Sequence, residues 1–148
     1  MKIRSLVLED DACLRKLIVT LLKEKGHESY AFPDPSVCPV YLKKDCPCPL
    51  DYACADIMIT DIQMPNITGL KFIENQAKRF CKIPNKAMMS GGWTKLQEEE
   101  AKKLNCKIFR KPFDIDELLE WIDRCEKQIN PKRKLLPWSK IKKIISGD

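Results

Sequence analysis

At 148 residues the chain is long enough for one ordinary domain and too short for two independent cores. With 44% hydrophobic and 32% charged residues it falls in the globular class and outside the disordered one. No run approaches the ~18 consecutive apolar residues of a membrane helix. The net charge is +6, and its distribution narrows its meaning. From Lys127 onward there are seven basic residues against the single acid Asp148, a surplus equal to that of the whole chain. Residues 1–126 are therefore neutral, which argues against a body-wide nucleic-acid surface. The N-terminus turns acidic after one short apolar run, so a secretory leader is not expected and a cytoplasmic location is.

The elements follow in chain order. Residues 3–8 read as a first strand ending in Glu9-Asp10-Asp11. Leu14, Leu17, Ile18, Leu21 and Leu22 share one helical face, and Gly26 stops that helix. His27 reads as a solvated turn residue. Tyr30-Ala31-Phe32 is a weak second strand. Residues 33–54 are irregular, because Pro33, Pro35, Pro39, Pro47 and Pro49 limit any helix to a short piece between Pro39 and Asp45. Ile57-Met58-Ile59-Thr60 is a buried strand ending at Asp61. A turn at Met64-Pro65-Asn66 leads to a helix over 69–80. Lys86–Met89 forms a fourth strand ending at Ser90-Gly91-Gly92, and Thr94 with Gln97 opens a helix to about Leu104. Lys107–Arg110 is a fifth strand, followed by Lys111-Pro112-Phe113 and a last helix starting at Asp114 or Asp116. Strands and helices in strict alternation predict an α/β fold, a doubly wound five-stranded parallel sheet in a three-layer α/β/α sandwich with flavodoxin-like order 2-1-3-4-5.

In such a sheet the ligand site lies beyond the carboxyl ends of the strands. The residues there are Glu9 and Asp10, Asp61, Ser90 and Lys111. Clustered carboxylates call for a hard divalent cation such as Mg²⁺, and an ammonium with a hydroxyl suits a phosphoryl group. Any one of these residues alone is an ordinary strand-end polar group; the combination at four strand ends is not.

The stretches Leu6–Arg15, Ile59–Gly69, Met88–Gly91 and Phe109–Phe113 resemble the receiver domains of bacterial response regulators, the CheY-like switches of two-component systems. The Asp-x-x-Met-Pro-x-x-x-Gly element at Asp61 and the Lys-Pro-Phe element at Lys111 carry most of that specificity. The resemblance spans residues 1–127 as one domain with the Pro/Cys-rich insertion 33–54, leaving 128–148 as a basic extension with no separate output domain. It implies that Asp61 is the phospho-acceptor, served by a sensor histidine kinase or phosphotransfer protein. It implies that Asp10, Asp61 and the backbone carbonyl of Gln63 bind Mg²⁺ (or Mn²⁺), with Glu9 as a companion acid. Lys111 would pair with phosphoryl oxygens, Ser90 would move to bond the phosphoryl group, and a cis bond would precede Pro112. The output would be contact with a downstream target protein. An intermediate phosphoryl carrier, and a receiver-scaffold interaction module with a cysteine metal site, are the alternatives.

Ile108 stands where the family usually has an aromatic residue, and strand alternation sends Phe109 to the opposite face, into the core. Gln63 and Gly92 occupy the positions that modulate hydrolysis. Four thiols, Cys38, Cys46, Cys48 and Cys54, fall in the insertion and would satisfy a tetrahedral Zn²⁺, but their spacing lacks paired Cys-x2-Cys hairpins. Reduced thiols are the preferred reading. Cys13, Cys81, Cys106 and Cys125 look structural. The tail alternates bases with Leu135, Leu136, Trp138 and Ile141, and is expected to dock on its own domain or stay disordered, with a partner or an anionic membrane surface as alternatives.

Overall fold

The computed structural model describes residues 1–42, 44–49 and 51–146, and the side chains of all of these except 42 and 144–146. The main sheet comprises β1 (Arg4–Leu8), β2 (Glu28–Phe32), β4 (Ile57–Asp61), β5 (Asn85–Ser90) and β6 (Lys107–Arg110), while β3 (Tyr52–Ala53) lies outside it. Its order is β2-β1-β4-β5-β6 with every pairing parallel, which is the expected 2-1-3-4-5 arrangement. Strand alternation divides the core. Val7, Ile57, Ile59, Ala87, Met89 and Phe109 pack under α1 (Ala12–Glu24) and α4 (Ile115–Gln128). Leu8, Met58 and Met88 pack under α2 (Gly69–Lys78) and α3 (Lys95–Lys103). β4 is buried at all five positions, as the middle of a sheet covered on both faces must be.

Local chemistry sets the helix ends. The Asp11 carboxylate caps α1 by accepting from the amides of Cys13 and Leu14, and Gly26 takes the left-handed conformation (φ +86°) just beyond it. Thr94 and Gln97 form the expected reciprocal capping box of α3. Asp114 rather than Asp116 caps α4, accepting from the Asp116 amide.

Strict alternation fails once. Among the described residues between β2 and β4 there is no α-helix, only 3₁₀ turns at Pro35–Val37 and Pro39–Leu42 and the short β3. Prolines without amide hydrogens prevent longer helical runs there. The fifth helix, α5 (Trp138–Ser146), belongs to the tail instead. β7 (Lys134–Leu135) pairs in parallel with β3 and brings α5 across the insertion. The Trp138 ring stacks on Tyr30 of β2 at 3.5 Å, and Leu136 and Ile141 form a small core with Cys48. Arg133 grips the buried Asp56 carboxylate through Nε (2.7 Å) and Nη2 (2.6 Å), and Arg4 donates to the Leu136 carbonyl at 2.6 Å. The tail thus covers the flank that the missing helix leaves open.

His27 is not a solvated turn residue. It is buried, with Nδ1 2.6 Å from Ser5 Oγ and Nε2 2.7 Å from Glu126 Oε1. The turn that follows Gly26 leads straight into β2, beneath α4, and this tertiary packing buries the ring. Among the described residues no helix is long and apolar enough to cross a membrane.

Candidate functional site

Glu9, Asp10, Asp61, Ser90 and Lys111 come from β1, β4, β5 and β6, or the residues immediately after those strands, and meet at the carboxyl edge of the sheet. One oxygen from each of Glu9, Asp10 and Asp61 falls within 4.8 Å of the others. Glu9 is fully buried and Asp61 is 4% exposed, while Asp10 faces solvent. The Lys111 ammonium bridges the two buried acids, 3.1 Å from Glu9 Oε1 and 3.2 Å from Asp61 Oδ2. The Lys111–Pro112 bond is cis, as the resemblance implied.

The electrostatics follow from that packing. Burial pushes the Glu9 carboxyl up to about 7 against the opposing pull of Lys111, and the neighbouring Asp61 charge pushes the same way as burial. Burial alone would lower the Lys111 ammonium, but its hydrogen bond to Glu9 and the charge of Asp61 raise it instead. Two carboxylates with one ammonium leave a deficit of positive charge in a partly closed site. Three convergent oxygen donors, one open to water, fit a hard divalent cation that keeps part of its hydration.

Backbone details hold Asp61 in place. Asp61 Oδ1 accepts from the Gln63 amide at 3.0 Å. The Gly69 amide bonds the Ile62 carbonyl at 2.9 Å, and a Cβ at Gly69 would sit 2.2 Å from the Asp61 carbonyl oxygen. Only glycine allows α2 to start so close to Asp61. Arg15 Nη1 donates to the Glu9 carbonyl at 2.7 Å and so fixes the loop carrying the acids. Ser90 is buried, and its Oγ accepts from the Gly92 amide at 3.1 Å.

Ile108 packs partly buried in the α2/α3 layer, and Phe109 is buried on the other face with its ring edge against Trp121. The neighbouring aromatic that sequence reasoning passed over is Trp93, whose Nε1 donates to the Phe109 carbonyl at 2.9 Å. Its indole joins the same layer as Ile108. The thiols of Cys38, Cys46, Cys48 and Cys54 do not join the acidic edge. They line an apolar cavity under the tail, together with Cys81. Nothing in the sequence near Cys81 signals this, since its nearest thiol neighbour along the insertion is 27 residues away.

Comparison with known proteins agrees with this arrangement. No curated protein matches the sequence. Many solved structures share the fold: chemotaxis protein CheY4 of Vibrio cholerae (21% identity, TM-score 0.65, covering 84% of this chain and 99% of that one), and the response regulator 1452 receiver domain of Francisella (21%, TM-score 0.67, 85% and 98%). The N-terminal domain of an uncharacterized Wolinella succinogenes protein is similar in the same degree (23%, TM-score 0.68, 84% and 94%). The model of the response regulator receiver domain matches residues 6–123, from the first strand into the last helix of the sandwich, and the chain belongs to that family.

Proposed function

We propose that this protein is a single-domain response regulator that accepts a phosphoryl group on Asp61 from a sensor histidine kinase or phosphotransfer protein, with Mg²⁺ or Mn²⁺ as cofactor, and signals through contact with a target protein. The observation that carries the reading is the Lys111 ammonium held between Asp61 and Glu9 beside the solvent-facing Asp10. Receiver domains of this family are phospho-acceptor switches that work with histidine kinases and phosphotransfer proteins.

The reaction asks for a nucleophile, in-line positioning and cations on the phosphoryl oxygens. An Asp61 carboxylate oxygen attacks the phosphorus of a phosphohistidine; the P–N bond breaks, and the imidazole leaves with that electron pair and takes up a proton. Asp10, Asp61 and the Gln63 carbonyl, with Glu9 behind them, would hold the divalent cation, which supplies charge neutralisation on the transferred oxygens. Lys111 is already aimed at Asp61 and pairs with one of those oxygens once Asp61 carries the phosphoryl group as an acyl phosphate. Ser90 Oγ gives up the Gly92 amide and turns to donate to another. That release reaches the loop of Gly91, Gly92 and Trp93, whose indole is tied to the Phe109 carbonyl. Coupling runs through this loop, because the aliphatic Ile108 cannot make the inward swing of an aromatic ring.

The test is beryllofluoride or acetyl phosphate with Mg²⁺, read by intact mass and by Trp93 fluorescence. Wild type gains one phosphoryl group and Asp61→Ala gains none. Absence of modification in wild type, or equal modification of the variant, overturns the reading.

A further inference from the structure

The insertion and α2–β5 loop place a second cluster of reactive side chains far from the acidic edge. Cys38, Cys46, Cys48 and Cys81 converge on one apolar cavity that also receives Trp138 and Ile141 of the tail. Cys46 is in side-chain contact with both Cys48 and Cys81, and Cys38 lies within electrostatic reach of all three. Cys48 and Cys81 complete the set of close pairs. Cys54 lines the same cavity, and among these thiols its side-chain contact is with Cys48.

The backbone around three of these sulfurs is arranged the same way. Cys38 sulfur takes a hydrogen bond from the Val40 amide, Cys46 sulfur from the Cys48 amide and Cys81 sulfur from the Ile83 amide. In each case the donor is two residues further along, which curls the chain around the sulfur. Amide donors to sulfur favour the thiolate over the thiol. Burial works against them: it is the main cause that pushes the Cys38 thiol up to about 12. Three amide donors aimed at neutral buried thiols are poorly used. The same donors aimed at metal-bound thiolates are the outer-shell support that such ligands require. Lys86 lies close enough to act on Cys81, and the Lys82 ammonium donates to the Cys48 carbonyl at 3.0 Å, so positive charge surrounds the cluster.

The insertion has little regular structure of its own for a metal to disturb. Between Pro33 and Asp51 its described residues contain only two 3₁₀ turns. We infer that Cys38, Cys46, Cys48 and Cys81 form a tetrathiolate site for a soft, tetrahedral divalent metal ion, Zn²⁺ in the first instance, which ties the insertion to the end of α2. Four thiols then release four protons, and the ion with four thiolates carries a net charge of −2, facing Lys82 and Lys86. A tetrahedral Zn²⁺ with bonds of about 2.3 Å draws its sulfurs to roughly 3.8 Å from one another. The thiols are more open than this, since among the described residues only the acidic trio brings three such ligand atoms within 4.8 Å; binding contracts the cluster. Of the thiols of the insertion, Cys54 is left out, and a residue from outside the insertion takes its place. This site is independent of the chemistry assigned to Asp61.

The experiment is titration of the reduced, chelator-treated full chain with Co²⁺, followed by Zn²⁺. A sulfur-to-cobalt charge-transfer band that saturates at one equivalent and is bleached by one equivalent of Zn²⁺ is expected. The oxygen ligands at Asp61 cannot produce such a band. Cys46→Ser and Cys81→Ser should lose the tight band, whereas Cys54→Ser and Cys106→Ser keep it. Cys81→His supplies a fourth ligand again and should retain the ion with a weaker band, which separates loss of a ligand from loss of the fold. No charge-transfer band in wild type overturns the site. A wild-type band that survives Cys81→Ser unchanged, or that Cys54→Ser abolishes, overturns the ligand assignment.

Discussion

The acidic edge of the sheet and the flank formed by insertion and tail gather their side chains in opposite ways. At the edge, each residue follows its own strand, so the parallel sheet itself brings Glu9, Asp10, Asp61, Ser90 and Lys111 together. At the flank there is little regular structure to do this. Cys38 lies between the two 3₁₀ turns, Cys46 and Cys48 in the irregular chain after them, Cys81 beyond α2, and Trp138 in the tail. The edge is an array of charges that a rigid scaffold holds in an unfavourable cluster. The flank is a set of weakly structured segments that hold one another. A scaffold can lose a site residue and keep its fold, whereas a flank built from mutual contacts loses structure when a contact goes.

That difference can be broken by experiment. The largest effect is expected for Asp61→Asn, which should abolish phosphoryl labelling by intact mass while leaving the urea midpoint close to wild type. Lys111→Ala should come next, slowing acetyl phosphate labelling roughly a hundredfold, the usual cost of removing one cation from a developing anion. Its circular dichroism should be unchanged. Arg133→Ala has the reverse signature. It leaves the buried Asp56 carboxylate without its bidentate partner, and should cost about 3 kcal/mol in urea unfolding with labelling of Asp61 preserved. Labelling lost in step with stability would show that the flank and the edge are one unit. Gly69→Ala sits on the boundary between the two behaviours, because its Cβ would press on the Asp61 carbonyl; about 2 kcal/mol of stability should go together with slower labelling. Thr94→Ala should cost only about 1 kcal/mol through the lost cap of α3 and leave labelling untouched, since the Thr94 side chain bonds within that cap.

The edge was legible because its signals are local. An apolar run ending in an acid, a hydroxyl or a lysine marks both a strand and the side on which it ends, and the strand order then follows from parallel connection rules. The capping residues Thr94 and Gln97 were readable for the same reason, since a cap acts within one turn. The crossover after β2 was legible only as a limit on helix. Its prolines confined one to a short piece between Pro39 and Asp45, but nothing local said which segment would cover the exposed sheet face. His27 shows the same limit: a turn residue by its neighbours, it is buried by Ser5 and Glu126, which lie 22 and 99 residues away.

What the sequence by itself determined is therefore the doubly wound sheet, the family and the set of acids, hydroxyl and lysine at its carboxyl edge, because each depends on short-range pattern and a chirality rule. Only the tertiary structure decided that the tail takes the position of the missing helix, that Arg133 serves Asp56, and that Cys81 joins the four thiols of the insertion around one cavity. Those pairings join residues from distant parts of the chain, and side-chain packing alone selects among the many partners that composition would allow.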